Sequence, residues 1–188
     1  MSLIHEFSSE VITLSVDLPN HLNAPIREPA GRAVWLPFIT LIKKAAARRL
    51  QIVSDEIQTE IRPVADRHGR NQGETYIYDD VPGGAGYARS IHDNLHEVIQ
   101  AALESGRNCR NPACQTACYH CLLSYSNQRV HQLLDRQMGT AMLEFVLNQT
   151  EPSTPNIRAS LLIERIADYL PREWKPLEHP SPIQRIPV

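Results

Sequence analysis

Cys109-Arg-Asn-Pro-Ala-Cys114-Gln-Thr-Ala-Cys118-Tyr-His-Cys121 holds all four cysteines of a 188-residue chain. Thiolates spaced Cys-x4-Cys-x3-Cys-x2-Cys can converge on one tetrahedral ion, because each short interval reverses the backbone and returns the next sulfur to the same point. Four protein ligands close the coordination shell. With no position left for water, a Zn2+ ion held there fastens structure together and does not activate a nucleophile. The competing reading is a pair of disulfides, common in small secreted domains and disfavoured in reducing compartments. The start, Met1-Ser-Leu-Ile-His-Glu-Phe7, has no basic segment leading into an apolar run. No stretch reaches the ~20 apolar residues of a membrane span. The expected setting is therefore the cytoplasm, without membrane association, and zinc is preferred to disulfides. His120 and His131 are substitute ligands that a full set of thiolates does not require.

Working outward, the chain is long enough for one good core or for a core plus a metal-stapled lobe. Hydrophobic content of 42% and charged content of 21% exclude wholesale disorder. A formal net charge of −2 supplies no global attraction to nucleic acid, so any such contact must come from local arginine clusters.

Val11 to Leu18 alternates strictly, with Ile12, Leu14, Val16 and Leu18 on one side, and predicts a half-buried strand. Pro19 to Pro29 reads as loop. Ala33 to Leu50 predicts a helix with an apolar stripe through Val34, Phe38, Leu41, Ile42, Ala45 and Leu50. Lys43, Lys44, Arg48 and Arg49 form its basic outer edge, and Pro37 is tolerable only near its start. Ile57, Thr59 and Ile61 alternate with polar neighbours. The polar run Asp66 to Glu74 then leads into Thr75 to Tyr78, giving a hairpin. One helix is expected from Tyr87 through Ala102, ended by Gly106, and another from about Arg129 to Leu147. Residues 151–188 read as a linker, a short helix over Ser160 to Tyr169 and a proline-rich tail. The fold class is α+β: a small antiparallel sheet packed with helices, with a zinc-stapled helical lobe of four cysteines over 106–136, all within a domain of residues 1–150.

Three further features bear on chemistry. Gly83, Gly84 and Gly86 follow a strand and open a helix, so they either permit a tight turn or leave N–H groups free to bind phosphate. No nucleotide motif completes the pattern. Asp79 and Asp80 stand ahead of that helix, where a carboxylate accepts backbone hydrogen bonds; with Glu56 or Glu74 they could instead bind magnesium as in a nuclease. Arg107, Arg110, Arg129 and Arg136 are interleaved with Tyr119, His120, Tyr125 and His131 around the cysteines. Guanidinium and rings suit nucleic acid. The same arginines could merely offset the −2 formal charge of a four-thiolate zinc site.

The run Tyr76 to Tyr87, with Asp79, Pro82, Gly83, Gly84 and Gly86, stands in order before the cysteines. After them comes Cys121 to Arg136, with Tyr125, Asn127, Gln128, His131, Leu134 and Asp135. Together these closely resemble the zinc-binding domain at the C-terminus of MrfA-type helicases, also known in DrmB of the DISARM phage-defence system. The likeness spans about Ala33 to Leu147. It implies zinc on the four cysteines and work on DNA beside a superfamily-2 helicase or another DNA-processing subunit, in phage defence or DNA repair. This chain has no Walker lysine motif, no acidic helicase box and no room for two motor lobes. The expectation is a non-catalytic accessory subunit, or a fragment of a larger helicase, whose motor belongs to a partner. The rival expectations are a metal-dependent nuclease using Asp79 and a purely structural adaptor.

Overall fold

The computed structural model describes residues 9–18, 24–65, 69, 71–81 and 83–149. The expected linker, the Ser160 to Tyr169 helix, the tail and Pro82 lie outside the described residues.

Strands β1 (Val11–Ser15), β2 (Ile57–Ala65) and β3 (Asn71–Asp79) form an antiparallel sheet in the order β1-β3-β2. The alternation read from the sequence sets its faces. Ile77 of β3 pairs with Ile12 on one side and Thr59 on the other, and Thr75 pairs with Leu14 and Ile61. Ile12, Ile57, Thr75 and Ile77 on this face are buried. The hairpin turn is shorter than the polar run suggested. Ala65 pairs directly with Asn71, so residues 71–74 belong to β3. Their polarity did not prevent strand formation, because the ladder satisfies the backbone.

Helix α1 (Pro29–Leu50) begins four residues before the expected Ala33. Pro29 occupies the first turn, where its missing N–H costs nothing. Pro37 therefore sits inside the helix and not near its start. The single apolar stripe also fails as a description. Trp35, Ile39, Ala46 and Ala47 are as buried as Phe38, Leu41, Ile42 and Ala45. A helix that is apolar on most sides must be covered on most sides, and α1 packs against β2 and β3 as well as α3 (Leu95–Arg107) and α4 (Arg136–Asn148). Trp35 anchors it, fully buried, with Nε1 donating to Ala24 C=O at 2.9 Å and its ring edge-on to Phe38.

The single helix expected after Gly86 is two, α2 (Tyr87–Asp93) and α3. Asn94 breaks them apart at φ −121°, ψ 29°, and its side chain donates to Ser90 C=O at 2.9 Å. Gly106 does not end α3 but lies buried in its last turn; a Cβ there would stand 2.5 Å from Thr140 Oγ1 on α4. Helix α4 starts at Arg136 and not Arg129, because Asp135 caps it, accepting from the N–H groups of Gln137 and Met138 at 2.8 and 3.1 Å. Residues 128–133 form a separate 3-10 turn.

Gly139 of α4 lies close against α1. A Cβ there would lie 3.0 Å from both the backbone carbon and Cβ of Pro37, and 2.9 Å from Leu41 Cδ1. Gly139→Val should therefore force α4 away from α1 and cost about 1–3 kcal/mol. Urea denaturation at unchanged m-value reads this directly. An unshifted midpoint would show that the two helices are not so tightly apposed.

Candidate metal centre

Helix α3 delivers the chain to the cysteine loop, and the loop is built from local turns. Asn111 accepts from Ala113 N–H through its side chain at 3.0 Å and from Cys114 N–H through its carbonyl at 3.0 Å. Cys118 C=O accepts from the N–H groups of Cys121, Leu122 and Leu123 at 3.0–3.1 Å. Cys118 N–H in turn donates to Cys121 Sγ at 3.2 Å. These turns bring all four sulfurs within 4.8 Å of one another. The closest pairs are 3.5 Å (Cys109 and Cys118), 3.7 Å (Cys114 and Cys121) and 3.8 Å (Cys118 and Cys121). A tetrahedron with metal–sulfur bonds of ~2.3 Å has edges of ~3.8 Å. The quartet therefore has the dimensions of a tetrahedral thiolate site, and all four cysteines are free thiols.

Neither histidine joins them. His120 is exposed on the surface. His131 Nε2 faces Ser124 C=O at 3.0 Å and Asn127 Oδ1 at 2.9 Å. Asn127 also accepts from Ser124 N–H and donates to Leu122 C=O, so Asn127 and His131 together sew the loop that leaves the last cysteine. Tyr119 packs its edge on the His131 ring, 6.0 Å between centroids. Gln128 is exposed, with its backbone N–H 3.4 Å from Tyr125 C=O.

The thiols pull against one another. Burial pushes Cys114 up to about 12, aided by hydrogen bonds to the other sulfurs, and burial likewise raises Cys121. At Cys118 burial also acts upward, but hydrogen bonds from Cys109 and from the backbone N–H groups of His120 and Cys121 prevail, bringing it down to about 6. Burial thus favours the thiol form of Cys114 and Cys121, whereas hydrogen bonds favour the thiolate of Cys118. Only a cation lets the set ionise together.

Basic groups reach this centre from α1, which the sequence reading placed on an outer edge. Lys44 Nζ donates to Leu123 C=O at 2.7 Å; burial lowers its pKa, and Cys121 and Cys118 act in the opposite direction. Arg48 bonds Ser105 Oγ at 2.8 Å and His120 C=O at 3.4 Å. The sequence carries a signal for this pairing, since two basic residues four apart share one helix face.

Among the arginines, Arg136 is structural. Its guanidinium donates to the carbonyls of Gly106 (2.6 Å), Arg107 (3.3 Å) and Cys114 (3.3 Å), tying the end of α3 to the cysteine loop. Arg107 pairs with Glu144 at 2.8 Å. Arg110, Arg129, Tyr119 and Tyr125 are exposed. They do not form one patch. Arg110 and Tyr119 line a polar hollow of ≈ 430 Å³ with Arg48, Asn108 and His120, whereas Arg129 lines a different groove beside β2.

Asp79 is fully buried at the end of β3. Its carboxylate accepts from the N–H groups of Ala85 (2.6 Å), Tyr87 (3.1 Å) and Ala88 (2.7 Å). It therefore caps α2 across the glycine turn, as the local reading of the sequence held. The carboxylate is enclosed and its oxygens are already engaged, which leaves them turned to the backbone and not to an open metal position. The phosphate reading of Gly83, Gly84 and Gly86 loses the Ala85, Tyr87 and Ala88 donors to the same group. Gly84 N–H turns to Val81 C=O at 2.9 Å, and all three glycines have positive φ, the conformation this tight turn requires.

Residues 38–122, which include the whole cysteine quartet, match the family model of the MrfA Zn-binding domain. The chain is 33% identical over 168 residues to Druantia protein DruE of Escherichia coli strain UMEA 4076-1, an alignment covering 84% of this chain and 9% of DruE. It is 27% identical over 79 residues to the uncharacterized protein MJ1572.1 of Methanocaldococcus jannaschii, covering 42% of this chain and 68% of that protein. Two crystal structures of DUF1998 helicase MrfA, one bound to DNA and one to DNA and AMPPNP, are 18% and 15% identical. They cover 56% and 66% of this chain and 14% and 15% of theirs, with TM-scores of 0.41 and 0.43.

Two outcomes test the centre. Because Cys114 and Cys121 must lose protons to bind metal, loading at pH 7.5 should release at least those two protons per ion, and affinity should rise with pH. Calorimetry in buffers of different ionisation enthalpy measures the release; metal uptake without proton release contradicts the assignment. Asp79→Asn should lower stability by about 1–3 kcal/mol while leaving metal content unchanged. Loss of metal in that variant would show that the α2 cap and the cysteine lobe are one unit.

Proposed function

We propose, from the match of residues 38–122 to the MrfA Zn-binding domain, that the chain is a non-catalytic, zinc-stapled module acting beside a superfamily-2 helicase and helping to hold DNA. The observation that carries this reading is the sulfur quartet, whose spacings match a closed tetrahedral shell. Such a shell offers no open position, so the ion shapes a surface and does no chemistry. Zn2+ on Cys109, Cys114, Cys118 and Cys121 would supply the folding energy of the lobe.

The residues best placed to meet DNA are Arg110 and Tyr119, which share the hollow over the zinc lobe with Arg48 and His120. Guanidinium groups there suit phosphate, and the Tyr119 ring, 64% exposed, suits a stacked base. The chain spans about 9% of DruE, and a motor must come from elsewhere, in the same polypeptide or a partner. Phage defence or DNA repair is the setting that the family resemblance implies. The cytoplasm fits a thiolate zinc centre. Among the described residues no helix is long and apolar enough to cross a membrane.

Purification from the native host decides the central point: a helicase motor, as a separate subunit or within the same polypeptide, should accompany these residues through successive columns, and the absence of both would remove the reading. Arg110→Glu with Tyr119→Ala should weaken binding of the complex to single-stranded DNA about tenfold or more at low salt, with the salt dependence reduced. Binding unchanged by that pair would favour an adaptor that does not touch DNA.

A further inference from the structure

A groove of ≈ 670 Å³ runs between β2, α1 and the 3-10 turn after the cysteines. Consecutive β2 residues from Gln58 to Ile61 line it. A groove on one face of a strand would meet only alternate residues, so this one runs along the strand's edge. Among the described residues β2 pairs with β3 alone, which leaves that edge open. Asp80 N–H donates to Glu56 C=O at 3.0 Å. Following the antiparallel register from that bond, Gln58 and Glu60 exchange hydrogen bonds with β3, while Thr59 and Ile61 turn their backbone N–H and C=O groups toward the groove. Pro63, two residues on, has no N–H and ends the usable edge.

The walls carry a second, independent signal. Leu36, Ile39 and Val130 give the groove an apolar floor. Arg27, Arg32 and Arg129 stand on its rim, all exposed, their guanidinium groups without an ion pair or hydrogen bond among the described residues. Lys43 and Lys44 add to them from below, while the two acids present already have partners: Asp55 lies 3.8 Å from Lys43 and Glu60 3.0 Å from Arg62. The unmatched charge is positive. No aromatic side chain lines the groove among the described residues, so nucleic-acid bases would find nothing to stack on. An extended peptide would find backbone partners, apolar sockets and cations together.

We propose that this groove takes an extended acidic segment of the helicase-bearing partner, added to β2 as a fourth strand. Alternate apolar side chains enter over Leu36 and Ile39, and carboxylates on the segment meet Arg27, Arg32 and Arg129. This rests on the reading that the chain serves a protein partner, and it names how that partner is held.

The test uses the full zinc-loaded chain and a fluorescent peptide of alternating glutamate and valine matched to the length of β2. Hydrogen exchange should show new protection at the Thr59 and Ile61 amides, and Arg32→Glu with Arg129→Glu should weaken binding about tenfold or more. Oligothymidylate should leave those amides unprotected, and Arg110→Glu should leave peptide affinity unchanged. Absence of protection by the peptide, protection by oligothymidylate instead, or indifference to the charge reversals overturns the proposal. The exposed positions of Arg32 and Arg129 keep the double variant folded, which retained zinc content verifies. If a helicase co-purifies equally with wild type and with the double variant, this docking mode fails while the broader function stands.

Discussion

Four sulfur atoms sharing one point in space are the constraint on which this structure depends. The segment from Asn108 to Asp135 contains no α-helix or strand, only turns and one 3-10 stretch, and such segments do not hold themselves together. Leu122 and Leu134 plug into the core and Ala117, Leu123 and Val130 pack partly against it, a modest apolar anchorage for a loop of that length. Metal binding that exists only in the folded state contributes its free energy to folding, about 10–16 kcal/mol in zinc-finger peptides. An ion bound by the four cysteines would be the largest single interaction available to the lobe. The rest of the protein is arranged to receive it: Arg136 binds carbonyls on α3 and on the cysteine loop together, and Lys44 reaches across from α1 to the backbone beside the last thiolate.

That arrangement explains why α1 is both greasy and basic. Its apolar side chains meet the sheet on one side and α3 and α4 on the other. Lys44 and Arg48, one turn apart, bond the carbonyls of Leu123 and His120 beside the cysteines, where they would offset the formal −2 charge of a four-thiolate Zn2+ site. Charge balance would thereby come from the central helix, while Arg110 is exposed at the surface and Arg136 serves the backbone. Asp79 has a comparable role at the end of β3, joining that strand to α2 through three N–H groups across the glycine turn.

Cysteine spacing and strand alternation were legible in the sequence because both depend on short local intervals. The quartet, the β1 alternation and the β2–β3 hairpin follow from residues within a few positions of one another. What could not be read depended on what lies opposite. An apolar stripe in α1 looks the same whether one side or several sides are covered, so nothing local marks Trp35 and Ile39 as buried. Gly106 resembles a helix stop until Thr140 is found against it. Arg136 and Arg110 are the same residue type and both flank the cysteine segment, yet one is tied to three carbonyls and the other is exposed. Asp135 could have been identified as a cap, since a helical stripe follows it directly.

X-ray absorption at the zinc edge of the purified protein tests the central claim most directly. The account predicts a single zinc ion surrounded by four sulfurs at ~2.3 Å with no nitrogen or oxygen neighbour. A mixed shell containing an imidazole or water, or protein that carries no zinc and holds its cysteines as disulfides, would contradict it.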